Sequence, residues 1–468
     1  MPSGHLRYLK GHRVDMYRYL LLCAIAFQNI SHGQQNPPLR LATFSADITI
    51  PLGHRCMGIL PTKASRIEDP LEAKGVVFLS DQQPVVFVAL DWCEVRNGAY
   101  DQWRDRIAAA VGSTRQRIVV CSLHQHDAPV TDSGAQRLLD SVGLENELYD
   151  TAFQDECIDR VVDAMKQALS NPQVVTHYAA TEAKVDRIAS TRRVRLPDGH
   201  ITFDRGSSSA SQARFADADE GEIDPFLKTL RFFNDQSEIA SISSYATHPM
   251  SYYGRGGVTA DFVGLARRRR QMDTPGTMQI YASGCSGDVT AGKYNDGSPA
   301  MRGVLADRLY DAMHAASQSN QRTPLESFAF RCEAFQLPFH EGEEFERNAM
   351  TKVLWDSEAD VRDRILAAMG LSSLDRIESG QAIDLPCLDF GKAQLVLLPG
   401  EAFVGYQLIA QSLRPDSFVM AIGYGECWPG YIPTKQAFDE GFNHGWRWVG
   451  RGSEGIIRDA LQNALSPK

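Results

Sequence analysis

Two nearly continuous apolar runs, Pro84 to Asp91 and Arg117 to Leu123, bracket a segment, Ala99 to Val111, in which apolar residues recur at helical spacing. That order reads strand, helix, strand. A strand apolar at successive positions has no face to give to water, so it needs cover on both sides, and a buried sheet flanked by helices supplies it. The pattern predicts an α/β fold class: mixed, mainly buried β-sheets flanked by helices, with any ligand or metal site at the C-terminal ends of strands. At 468 residues the chain is long enough to bury a large core, as one α/β domain or two fused lobes.

The rest of the chain keeps this style. Leu41 to Ile50 alternates as a strand; Phe226 to Asn234 and Glu238 to Ala246 read as a strand pair. Asp261 to Gln271 reads as a helix, Met278 to Ala282 as a short buried strand, and Met301 to Ala316 as a helix. Phe328 to Pro338 and Ala393 to Leu398 are predicted strands on either side of a charged helical stretch, Glu341 to Met369. After Pro399-Gly400 a helix is expected from Glu401 to Leu413, because Ala402, Tyr406, Ile409 and Leu413 share one face. Asp204 to Glu222, rich in Ser, Ala and Asp and without periodicity, predicts a mobile surface excursion placed to cover a site.

The N-terminus has its own signature. Arg7, Lys10, Arg13 and Arg18 precede the apolar run Tyr19 to Phe27, and Ser31 and Gly33 are spaced like a signal-peptidase site. The run is too short for a spanning helix, which needs about 20 apolar residues. Residues 1–33 therefore read as an export signal and 34–468 as the mature domain, secreted or periplasmic. A net charge of -10 with interspersed signs argues against a nucleic-acid partner, and the basic run Arg267 to Arg270 reads as the solvated face and end of a helix. Setting aside Cys23 in the presumed signal leaves an even set of cysteines, which permits disulfides; without any Cys-x-x-Cys pair, a bound metal should have nitrogen and oxygen ligands.

Four corners carry residue types suited to chemistry. His124 and His126 follow a buried strand, and strand alternation predicts that both rings project to the same side, as metal ligands or as hydrogen-bonded rim histidines. His248, in Thr247-His248-Pro249, ends another strand. Glu401, in Leu398-Pro399-Gly400-Glu401, is expected in the first turn of a helix, as a partner of the helix dipole or as a hard oxygen ligand. Tyr431 is held between Pro429-Gly430 and Pro433. Ser286 or Ser122 with His126 offers a metal-independent serine hydrolase as a rival, although Gly284 to Asp288 does not complete a nucleophile elbow. Asp261 and Asp288 suit turn or capping roles or support behind a metal.

Taken together these segments resemble the neutral ceramidases. His124-Gln125-His126 followed by Pro129, Ala246-Thr247-His248, Pro399-Gly400-Glu401 and Gly430-Tyr431-Ile432-x-Thr434 occur in that family's order, from about Thr43 to Thr434. The resemblance implies a Zn2+ ion held by His124, His248, Glu401 and Tyr431. It also implies that His126 and Arg192, with Arg193 as the alternative in Ser190-Thr191-Arg192-Arg193, contact the scissile group. Thr290 stands where the family has a serine considered as a nucleophile, and is carried as a catalytic candidate. The implied activity is hydrolysis of an N-acyl amide, ceramide-like or smaller, by metal-activated water, with peripheral membrane contact and no protein partner. Two departures bear on the substrate: the chain ends at Lys468 without the family's C-terminal β-sandwich, and Asp439 to Trp446 replaces a Gln-Arg-Tyr-Glu-Gly-like segment. A non-catalytic binding protein on the same scaffold is the remaining alternative.

Overall fold

The computed structural model describes residues 38–57, 60 and 62–466, so the export signal expected at 1–33 lies outside the described residues. Three sheets form the frame. The first contains β1 (Arg40–Asp47), β2 (Glu72–Leu79), β3 (Val85–Leu90) and β4 (Ile118–Ser122) in the order β4-β3-β2-β1. Between β3 and β4 runs α1 (Asn97–Val111), and α2 (Thr151–Ala168) packs on β1. The predicted strand-helix-strand unit is therefore present, with β3 and β4 parallel from Val86↔Ile118 to Leu90↔Ser122. The pairs β1–β2 and β2–β3 are antiparallel, which makes the sheet mixed.

The second sheet repeats the plan. Strands β5 (His177–Lys184), β6 (Phe226–Asn234) and β7 (Ser237–Tyr245) are antiparallel neighbours; α3 (Asp261–Asp273) then leads to β8 (Met278–Ser283), parallel to β7. Helix α4 (Pro299–Ser317) covers this sheet beside α3. The third sheet has β9 (Ala329–Phe335). The charged stretch after it forms two helices rather than one, α5 (Arg347–Trp355) and α6 (Val361–Glu378). Asp360 starts α6 by accepting the Arg362 N–H at 2.8 Å. Strands β10 (Ile383–Asp389) and β11 (Ala393–Leu397) continue the sheet, and α7 (Val404–Ser412) crosses to β12 (Phe418–Ile422), parallel to β11. The chain closes with α8 (Ser453–Leu465).

Period-two burial explains why the sheets stack. Val85, Phe87 and Ala89 of β3 face a common core with residues of the other two sheets, whereas Val86, Val88 and Leu90 face α1 and α2. Each of these side chains is buried, as the continuous apolar run requires. The core contains Leu230 and Ile242 from the second sheet and Leu395 and Ile422 from the third. No helix of the described residues is long and apolar enough to cross a membrane.

The three parallel pairs end at one place because their strand ends are stitched together. The Ser122 N–H donates to Tyr424 O at 3.0 Å, the Gly423 N–H to Ser283 O at 3.0 Å, and the Ser283 hydroxyl to Leu123 O at 2.7 Å. Every strand end in this triangle is a C-terminal one, so the loops that follow must share one space.

The molecule departs from two expectations. The basic run is only partly a solvated face: Arg267 is buried and bonds both carboxylate oxygens of Asp91 at 2.6 Å, and Arg270 is buried as well. The segment Asp204 to Glu222 is folded around the buried Arg205, whose guanidinium donates to the carbonyls of Thr191, Phe215, Asp219 and Glu220 at 2.7–3.3 Å. A polar segment without periodicity can be ordered by one central donor group, and composition alone does not register it.

Candidate metal centre

Four side chains from four separate loops meet where the strand ends converge. His124 lies just past β4, which stops at Ser122, and its backbone is left-handed at φ 68°. Strand alternation therefore does not aim the rings; a turn does, fixed by the His124 N–H donating to Trp92 O at 3.0 Å. His248 follows β7 through a bond from its N–H to Val289 O at 2.9 Å. Glu401 is not in the first turn of the helix, which begins at Val404. It lies in a two-residue parallel pairing, Glu401↔Tyr431 and Ala402↔Ile432, that sets the carboxylate and the phenol side by side. Gly400 and Gly430, at φ 52° and 61°, make that pairing possible, since a Cβ at Gly430 would collide with Trp446 O.

The bonding of the two histidines fixes their tautomers. His124 Nδ1 donates to Cys93 O at 3.2 Å, and His248 Nδ1 donates to Ser286 O at 2.6 Å with Val289 O at 3.1 Å. A carbonyl oxygen only accepts, so the proton of each neutral ring sits on Nδ1 and the lone pair on Nε2. Both lone pairs point at the same oxygen, Glu401 Oε2, from 3.2 Å for His124 and 2.9 Å for His248. Three electron pairs converging in a buried space repel one another unless a positive charge sits among them. His124, His248 and Glu401 each bring a ligand atom within 4.8 Å of the other two, a nitrogen-and-oxygen donor set of the kind divalent cations accept. The residues therefore fit a divalent cation.

The electrostatics of these groups carry the same message. Burial works to raise the Glu401 pKa, but His124 and His248 outweigh it and hold the carboxylate well below its ordinary range. Burial lowers His124, yet Glu401 and then Glu94 bring it above its usual value, whereas burial and the Arg192 charge push His248 down to about 4. Burial raises Tyr431 well above the ordinary phenol range, so its hydroxyl keeps its proton as a donor.

The remaining candidates fall into two groups. His126 is near: its ring centroid lies 5.3 Å from that of His124 and 6.3 Å from that of His248, under Tyr253 at 4.7 Å. Among the described residues neither of its nitrogens has a hydrogen-bond partner, and burial, then His124 and His248, holds its pKa well below the ordinary value. Arg192 is near as well, with Nη2 3.3 Å from the Tyr431 hydroxyl; Arg193 turns away into an ion pair with Glu440. Thr290 is buried, and its hydroxyl is engaged locally, accepting the Gly292 N–H at 3.1 Å and facing Gly206 O at 3.4 Å. The Ser286 hydroxyl bonds the Tyr424 hydroxyl at 2.7 Å, and the Ser122 hydroxyl faces Tyr424 O and Cys427, so neither serine is bonded to His126. Asp288 accepts the Val404 N–H at 2.8 Å, capping α7, and Asp261 accepts the N–H groups of Ser251 and Phe262, as their turn roles predict.

Sequence reasoning passed over two contributors. Tyr424 stacks on His124 with ring centroids 4.4 Å apart and 17° between planes. Its signal is a tyrosine between two glycines, Gly423 and Gly425, just past the apolar run Phe418 to Ile422, and it adopts φ 60°. Glu94 stands 3.7 Å behind His124 Nδ1, paired with Arg96.

Fold and donor set define a mixed α/β protein whose converging strand ends bring together buried nitrogen and oxygen donors that could hold a cation. Among solved structures, the chain is similar to the neutral ceramidase from Pseudomonas aeruginosa, with a TM-score of 0.67 and 14% identity over 91% of this chain and 74% of that one. It is likewise similar to a ceramidase complexed with C2, with a TM-score of 0.65, 14% identity and the same coverage. At that identity the likeness is one of fold, and it bears out the predicted fold class. No protein-family model matches the chain. No curated protein matches it in sequence either.

Proposed function

We propose that the chain is a zinc-dependent amidohydrolase that cleaves the amide of an N-acyl, ceramide-like lipid with an activated water. The observation that carries this reading is the convergence of His124 Nε2, His248 Nε2 and Glu401 Oε2, inside a fold whose solved neighbours are ceramidases. Those three residues, with Tyr431 beside them, would hold the metal. When bound, zinc supplies a Lewis acid that polarises the amide carbonyl and brings the pKa of a water to about 7.

The chain's own residues account for the rest. Tyr431 keeps its proton and offers a hydrogen bond to the carbonyl oxygen as negative charge grows there, with the Arg192 guanidinium behind it adding a fixed positive charge. His126, buried and neutral with both nitrogens uncommitted, accepts a proton from the attacking water and returns it to the leaving amine nitrogen. Burial of His124, His126, His248, Glu401 and Tyr431 excludes bulk water and strengthens each interaction. Residues 1–33 are proposed to be a cleaved export signal, in keeping with a lipid substrate met outside the cytoplasm or at a membrane surface.

The test is hydrolysis of a short-chain N-acyl sphingosine by the purified chain, followed by release of fatty acid and free amine. The expected result is turnover that a zinc chelator removes and added zinc restores, with no inactivation by a fluorophosphonate. Inactivation by the fluorophosphonate together with indifference to the chelator would replace this reading by the serine hydrolase, against which the engaged hydroxyls of Ser286 and Ser122 argue.

A further inference from the structure

A thiol stands on the other side of His124. Cys93 Sγ lies 3.9 Å from His124 Nδ1, and Cys93, His124 and His126 each bring one ligand atom within 4.8 Å of the other two. All three are buried, and no disulfide engages Cys93 or the seven other described cysteines. His126 completes the observation: it is 6% exposed, and neither ring nitrogen has a partner among the described residues. A buried imidazole that bonds nothing, beside a free buried thiol and a second imidazole, offers the sulfur-and-nitrogen donor set that soft divalent cations prefer over carboxylate sites.

We propose that Cys93, His126 and His124 form a second, inhibitory cation site selective for soft metals such as cadmium, mutually exclusive with the centre at His124, His248 and Glu401. The exclusion rests on the reading of that centre given above and on the count of lone pairs. A neutral imidazole has one, and His124 directs it from Nε2 at Glu401 while Nδ1–H bonds Cys93 O. Serving the sulfur side requires the ring proton to move from Nδ1 to Nε2, which breaks the bond to Cys93 O and turns an N–H towards Glu401. On binding, the Cys93 S–H bond is replaced by a sulfur–metal bond and its proton goes to solvent, while two nitrogen–metal bonds form and no electron is transferred. Filling the second site therefore takes a ligand from the first.

The experiment titrates cadmium into the full chain loaded with one zinc, reading the ultraviolet thiolate-to-cadmium charge-transfer band and the zinc released to a chromogenic chelator. The expected result is one equivalent of cadmium bound with the band, and release of the zinc. In Cys93→Ser that increment of band is absent, and release needs at least about tenfold more cadmium, the effect of losing one strong ligand. His126→Phe, which leaves the sulfur in place, should weaken the band similarly and decides the matter if the serine variant does not fold. An identical band in wild type and both variants would overturn the site, and a full band with zinc retained would overturn the exclusion. Cadmium titration of the zinc-free chain reads the sulfur side alone, so a chain that never holds zinc would end the proposed function without touching this site.

Discussion

Replacing Glu401 by alanine is expected to remove bound metal and to lower amide hydrolysis about 10³-fold or more, with little loss of fold. Glu401 Oε2 is the atom both imidazoles share, so its removal leaves two neutral nitrogens that have no anionic partner to retain a divalent ion. Loss of the Lewis acid withdraws several kcal/mol of transition-state stabilisation, and each factor of ten is about 1.4 kcal/mol. Folding should survive because the local frame is made by backbone pairing of Glu401 with Tyr431, which alanine preserves. Kinetics on the N-acyl amide, with metal content and thermal unfolding measured on the same sample, checks this; activity within tenfold of wild type would contradict it.

Arg96→Met is expected to cost about 3–5 kcal/mol of stability, the range found when one partner of a buried charge pair is removed. Arg96 is fully buried, pairs with Glu94 at 2.9 Å, and donates to the carbonyls of Cys427 and Trp428 at 3.0 and 3.1 Å. Its guanidinium also lies 4.2 Å from the ring centroid of Trp448. Methionine fills much of the volume but leaves the Glu94 charge beside His124 uncompensated and frees the Cys427 to Tyr431 loop. Equilibrium denaturation should show the loss, and metal affinity should fall with it. A change under about 1 kcal/mol would mean that Glu94 is protonated in the folded chain, a state towards which its burial presses.

The strand and helix order was legible because burial imposes it: the two apolar runs around Ala99 to Val111 became β3 and β4, parallel and buried on both faces. What the residues withheld were the features set by long-range partners. Arg205 looks like any loop arginine until four carbonyls 10 to 15 residues away close on it, and Arg267 looks solvated until Asp91 and Glu72 face it. The ligand corners were legible as segments, since His124, His248 and Glu401 each follow a recognisable strand. Their local geometry was not: the left-handed turn at His124 and the short pairing of Glu401 with Tyr431 depend on backbone contacts no spacing rule encodes. Tyr424 went unnoticed for the same reason, because its stacking on His124 exists only once β12 has been brought beside β4.

The central claim is that His124, His248 and Glu401 make a cation pocket, and elemental mass spectrometry of the purified, zinc-reconstituted chain tests it most directly. One zinc per chain in wild type and less than about a tenth of that in His248→Ala, both folded, is the predicted result. A stoichiometry near zero in wild type, or equal metal in both proteins, would contradict it.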